Sequence, residues 1–164
     1  MADGLVVKLE GVGELKRAMA GAAADIRKKA VRGALREAGK VIQAAARQAA
    51  PVLQAPEKYR RPGTVRKAIA VRASKYARGR GDEGVYVNVR PLRGAAQKKK
   101  GKAGAKNPND PYYWRFLEFG TKHMAARPFL RPAVAQKGEA AVRKFMASVV
   151  PQIEKLNAKA NRGR

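Results

Sequence analysis

Side chains able to make or break bonds are scarce in this chain, while cations are abundant. It carries 12 Asp+Glu, one histidine and no cysteine against 37 Lys+Arg. His123 follows Lys122, and no second imidazole or thiolate exists to share a metal with it. It reads as a turn residue. The acids are few and scattered, so a paired-carboxylate site for general acid and base work or an oxygen cage for a divalent ion would have to be assembled from distant loops. No Gly-rich phosphate loop, nucleophile elbow or histidine pair at helical spacing occurs. The sequence is therefore read as that of a non-enzyme without a cofactor. With no thiol, disulfides are excluded.

What remains is the chemistry of cations toward a polyanion. The formal charge is +25 and the sequence pI about 11.2, more than solubility requires. Two basic elements could face DNA. Arg32, Arg36, Lys40 and Arg47 fall along one side of a helical segment. Lys98, Lys99, Lys100, Lys102 and Lys106 crowd a stretch otherwise made of Gly, Ala and Gln. Either could neutralise phosphates without reading sequence, and either is equally a solvated face. A third group is aromatic. Tyr113, Trp114 and Phe116 next to a basic stretch suit stacking on nucleobases, but aromatics three apart on a short helix better match a buried face. The expectation is thus that Trp114, Leu117 and Phe119 are core. Glu118, an acid among aromatics, needs Arg127, Arg131 or a neighbouring subunit's cation if it is half-buried; a solvated glutamate is the alternative.

The elements that must position these groups follow from periodicity. Leu5 to Leu9 alternates between glycines and predicts a short strand. Glu14 to Ala24 predicts a helix with Leu15, Ala18, Met19 and Ala22 on one face. Ile26 to Ala50 predicts a long helix whose apolar face is Val31, Leu35, Ala38, Val41, Ile42, Ala45 and Ala49, ended by Pro51. Val52 to Gly63 is a loop long enough to be an arm. Thr64 is read as the cap of a short turn into a strand at Ile69 to Ala73. Gly84 to Arg90 completes a hairpin across Arg78 to Glu83, with Val85, Val87 and Val89 on one side. Residues 91–110 form a basic low-complexity loop that on composition cannot fold alone. Val134, Ala141, Val142, Phe145, Met146 and Val149 form a helical stripe that Pro151 kinks or stops, and the basic tail 157–164 should fray. No apolar run suits a signal-peptide core or a membrane span. The expected architecture over 1–164 is one α+β domain: two main helices packed on a small antiparallel sheet, with long arms.

The order of residues in Tyr112 to Pro132, YYWRFLEFGTKHMAARPFLRP, resembles the phage tail-completion family typified by gene product ten of bacteriophage HK97, which carries a Tyr, Glu-Phe-Gly-Thr, Pro-Phe-Leu-x-Pro-Ala run. Val12-Gly13-Glu14-Leu15, Ala50-Pro51 and Gly63 to Ile69 add weaker similarity in family order. The resemblance implies structural motif positions at Glu118, Phe119, Gly120, Thr121, Pro128, Phe129 and Pro132. It further implies a virion structural protein at the neck or proximal tail, assembled in the host cytoplasm as a homo-oligomeric ring. Sixfold symmetry is expected and twelvefold is the fallback, with connector and tail tube proteins as neighbours and double-stranded DNA in the lumen. The competing expectation is a sequence-independent nucleic-acid-binding architectural protein, for which charge alone would suffice.

Overall fold

The computed structural model describes residues 12–93, 97 and 101–162. In chain order these form α1 (Val12–Ala20), α2 (Ala24–Ala49), α3 (Thr64–Ala68), β1 (Ile69–Ala73), α4 (Lys75–Gly79), β2 (Val85–Val89), α5 (Trp114–Phe119) and α6 (Leu130–Arg162). The predicted strand at Leu5 to Leu9 lies outside the described residues, as do Lys98, Lys99 and Lys100. The class is α+β, with helices on a two-stranded antiparallel sheet. Its register is set where the Ser74 N–H donates to the Gly84 carbonyl and the Arg90 N–H to the Ala68 carbonyl, each at 2.8 Å. The chain divides into two compact units, Met1–Ile42 with Val71–Tyr86 and Lys137–Arg164, and Gln43–Ala70 with Val87–Gln136.

In the first unit, Ala22, Ala30, Ala34, Val149 and Ile153 form the buried cluster, flanked by Leu15, Met19, Ile26 and Phe145. The buried line on α2 is therefore the alanines, spaced four apart, and not the larger Val31 and Leu35 beside them, which stay half-exposed. Alanine removes side-chain bulk at the contact, so the partner helix can come close enough for its own larger residues to fill the gap. Gly33 is part of the same arrangement. An added Cβ there would collide with the Gln152 amide. That amide donates to the Ala30 carbonyl at 3.3 Å and accepts from the Ala34 N–H at 3.1 Å. Gly39 plays a similar part against β1, since a Cβ would lie 2.7 Å from Val71 Cγ1.

Along α2, Ala49 is exposed, although it was expected on the buried face of the helix. The connection from β1 to β2 is the short helix α4, started by Ser74, whose hydroxyl accepts from the Ala77 N–H at 3.1 Å. Pro151 does not stop α6; a proline costs the N–H of one turn, which packing of Val149 and Ile153 offsets. The tail expected to fray is helical as far as Arg162.

The second unit buries Val65, Ile69, Val89, Leu92, Phe129 and Ala133. The Ile69 carbonyl accepts from Gln43 Nε2 at 2.7 Å and Arg47 Nη2 at 2.9 Å. The cap of α3 is Gly63, at φ 74°, and not Thr64; the Thr64 hydroxyl is instead turned to the carbonyls of Arg61 (3.0 Å) and Pro108 (3.1 Å). Composition also misjudged the later half of the 91–110 loop. Asp110 is buried and accepts from the Gly104 N–H at 2.7 Å, while Asn107 Nδ2 donates to the Lys102 carbonyl at 2.9 Å. Asx-type side chains thus supply the closing hydrogen bonds that a core would otherwise provide.

Candidate functional site

The motif residues assemble at the start of α6. Leu130 opens that helix, so its first amides have no partner within it. Glu118, at the end of α5, supplies the acceptor. Its Oε2 receives the N–H groups of Phe129 at 2.8 Å and Leu130 at 2.9 Å, and its Oε1 receives that of Arg131 at 3.0 Å. Arg131 Nε adds a contact at 3.3 Å, and Arg131 Nη2 donates to the Glu118 carbonyl at 2.9 Å. The side chain is 1% exposed. Burial raises the pKa of its carboxyl most, but the three backbone donors and Arg131 together outweigh burial and hold it below the ordinary glutamate value. The carboxylate serves as a remote N-cap that also neutralises the positive end of the helix.

Gly120 makes this reach possible. It sits at φ 75°, ψ −178°, a region open essentially only to glycine, and its N–H caps the Phe116 carbonyl. A Cβ there would stand 2.9 Å from the Met124 carbonyl oxygen and 3.0 Å from the Ala126 nitrogen. The turn is closed by a bridge between Thr121 and Met124 and by the Thr121 hydroxyl, which accepts from the His123 N–H at 3.2 Å. The Arg127 N–H then donates to the Leu117 carbonyl at 2.7 Å, laying the strand of chain back along α5. Pro128 is exposed, Phe129 is fully buried, and Pro132 stands in the first turn of α6, where a missing N–H costs nothing.

The aromatics behave differently from expectation. Phe119 is 62% exposed and Phe116 47%, so Phe119 is not core. The helix α5 turns its acid inward and these two rings outward, because the free amides of α6 attract the carboxylate more strongly than the core rewards another ring. The Arg131 guanidinium lies 5.0 Å from the Phe119 ring centre. Tyr112 meets Tyr113 and Phe116 edge-on, at 5.5 and 6.4 Å. Tyr113 lies under Arg60, and burial raises its pKa despite that cation. Of the partners expected for Glu118, Arg131 is found; the helix amides are the part that residue types alone did not signal, though Pro at the third residue of a helix opening twelve positions downstream could have suggested a free N-terminus.

The basic residues do not form a uniform stripe. Arg32 is bound to Glu83, with Nε to Oε2 at 2.8 Å and Nη2 to Oε1 at 2.5 Å. The hydrogen bond to Arg32 lowers the Glu83 pKa against the opposing effect of burial, and the same bond raises that of Arg32. Arg47 is spent on the Ile69 carbonyl. Lys40 pairs with Glu37 at 2.7 Å on the surface, a contact of little strength. Arg36, Lys102 and Lys106 are exposed. Among the described residues no cluster of His, Cys, Asp or Glu is arranged to hold a metal, and no helix is long and apolar enough to cross a membrane.

With this geometry in place, comparison with known proteins gives one match. A family model described as "Bacteriophage HK97-gp10, putative tail-component" covers residues 13–120, from the start of α1 to the glycine that ends α5. Phe129 and Pro132 lie beyond the matched stretch. No curated protein and no solved structure matched the chain.

Proposed function

Since the chain belongs to the HK97-gp10-like family of bacteriophage tail components, we propose that it works in the virion as a tail-completion or neck protein. In this reading identical subunits close into a ring at the head-tail junction or tail terminus, against connector and tail tube proteins, with DNA passing through the lumen. The observation that carries it is the family match over residues 13–120. Two features support it. Phe116 and Phe119 stand outward in the motif, and exposed aromatics grouped on one short helix are the usual material of protein contacts. The +25 charge suits a lumen that must pass a polyanion. Because Arg32 and Arg47 have part-buried partners within the chain, whereas Lys40 has only its exposed pair with Glu37, the DNA-facing role falls first to Arg36, Lys40, Lys102 and Lys106, with Lys98, Lys99 and Lys100 beside them in sequence.

Light scattering coupled to gel filtration, followed by negative-stain microscopy, tests the ring. Closed rings, sixfold by preference, are expected. A protein that remains monomeric at high concentration, alone and with its tail partners, would refute ring closure while leaving family membership intact.

A further inference from the structure

The second unit contains a cleft of about 360 Å³ that the motif and the predicted basic elements do not include. Three cations line it: Arg61 from the end of the 52–63 segment, Lys67 from α3 and Arg90 from the end of β2. Asn109 and the Thr64 hydroxyl complete the polar wall, and prolines 62, 91 and 111 form much of the rest. Among the described residues no carboxylate lines the cleft, and none pairs with Arg61, Lys67 or Arg90. The contrast with other cations of this chain is direct, since Arg32, Lys40, Arg60, Arg131 and Arg143 each have an acid within 4 Å.

Three like charges gathered round one concavity repel each other, so an anion entering it relieves repulsion as well as gaining hydrogen bonds. The walls are stiff. Proline fixes φ, Arg61 Nη1 donates to Asn109 Oδ1 at 3.4 Å, and the Thr64 hydroxyl faces the Pro108 carbonyl at 3.1 Å. A pre-formed site loses little freedom when it binds. The volume accommodates a tetrahedral oxyanion with water and falls at the small end of ligand pockets.

We propose that this cleft is a phosphate-binding site, with Arg61, Lys67 and Arg90 as its ligands, able to take either a free phosphate or one phosphodiester of a DNA backbone. An occupant held by Arg61, Lys67 and Arg90 would tie together the end of the 52–63 segment, α3 and the end of β2. The site lies within one subunit and does not depend on ring formation.

The test uses the full chain and inorganic phosphate at fixed ionic strength, with chloride as the matched control. Phosphate should raise the melting temperature and shift the Nε–Hε resonances of Arg61 and Arg90 in the unaltered protein. Lys67→Ala with Arg90→Ala should weaken phosphate binding by about tenfold or more, the scale of losing charge-assisted hydrogen bonds. The control pair Lys144→Ala and Lys155→Ala should leave it unchanged. The resonance shifts test the site even if the double variant folds poorly. A short duplex that competes with phosphate for these resonances identifies the phosphodiester as a source; a duplex that does not compete identifies free phosphate. Equal effects of phosphate and chloride, equal weakening by both variant pairs, or occupation by a glutamate-rich peptide while phosphate leaves the resonances unmoved would each overturn the assignment.

Discussion

Removing the Glu118 carboxylate should be among the most damaging changes available to this chain. In Glu118→Ala the N–H groups of Phe129, Leu130 and Arg131 lose their acceptor. The Phe129 amide is in a buried position, and leaving such a donor unpaired costs about 1–3 kcal/mol. The Leu130 and Arg131 amides are partly reached by water, so their loss is nearer the ~0.5 kcal/mol end of a net hydrogen bond. Loss of an anion from a helix N-terminus adds about 0.3–1 kcal/mol. Relief from holding a desolvated carboxylate offsets part of this, and a net loss of about 3 kcal/mol is expected against a total stability of ~5–15 kcal/mol. Urea unfolding reads it directly: with a slope of ~2 kcal/mol/M the midpoint falls by roughly 1–2 M. Glu118→Gln keeps one acceptor oxygen and should lose about half as much. Acid distinguishes the two further. The folded pKa of Glu118 is lowered from 4.5, so its stabilisation is complete above that value and disappears as pH falls through the lower folded pKa. The gap between parent and Glu118→Gln should therefore narrow below about pH 4.5. Variants within ~0.5 kcal/mol of the parent at neutral pH, or a gap that is constant into acid, would refute the remote cap.

Other outcomes follow from the same geometry. Gly120→Val should cost more than 1 kcal/mol, roughly 2–4, because strain at positive φ adds to contact with the Met124 and Ala126 backbone; thermal melting measures it, and an unchanged melt would contradict the turn. Gly33→Leu should displace the Gln152 amide and loosen α2 from α6, seen as faster amide exchange at Ala30 and Ala34, whereas Gly13→Ala, with open space around it, should be neutral or slightly stabilising. Phe129→Ala should cost about 3–5 kcal/mol as a buried ring is lost, while Phe119→Ser should leave the melt nearly unchanged and reduce oligomer formation in light scattering. Duplex binding by assembled protein should weaken with salt at a log-log slope of about −0.9 per phosphate contacted, with little dependence on sequence; a flat response would remove DNA from the proposed function.

Much of the secondary structure was determined by local sequence. The long α2 follows from its repeat and from Pro51, and β1 and β2 follow from alternation of apolar residues, each a property of neighbouring positions alone. The positive φ at Gly120 belongs with these local features, because glycine alone adopts it without steric cost. The order of residues from Tyr112 to Pro132 was enough to indicate the family. Burial was a different matter. Which side of α2 packs depended on how closely α6 approaches, and that favoured small alanines over the more hydrophobic valine and leucine beside them. Glu118 went inward and Phe119 outward because the acceptor-starved N-terminus of α6 lies against α5, a relation between residues eleven to thirteen positions apart that no single helical repeat encodes. Arg32 and Arg47 look interchangeable with Arg36 along the helix; only the fold brings Glu83 to one and the Ile69 carbonyl to the other. Local order sets backbone conformation through sterics, whereas the fate of a charge is set by whatever donors and acceptors the tertiary structure brings within about 3 Å of it.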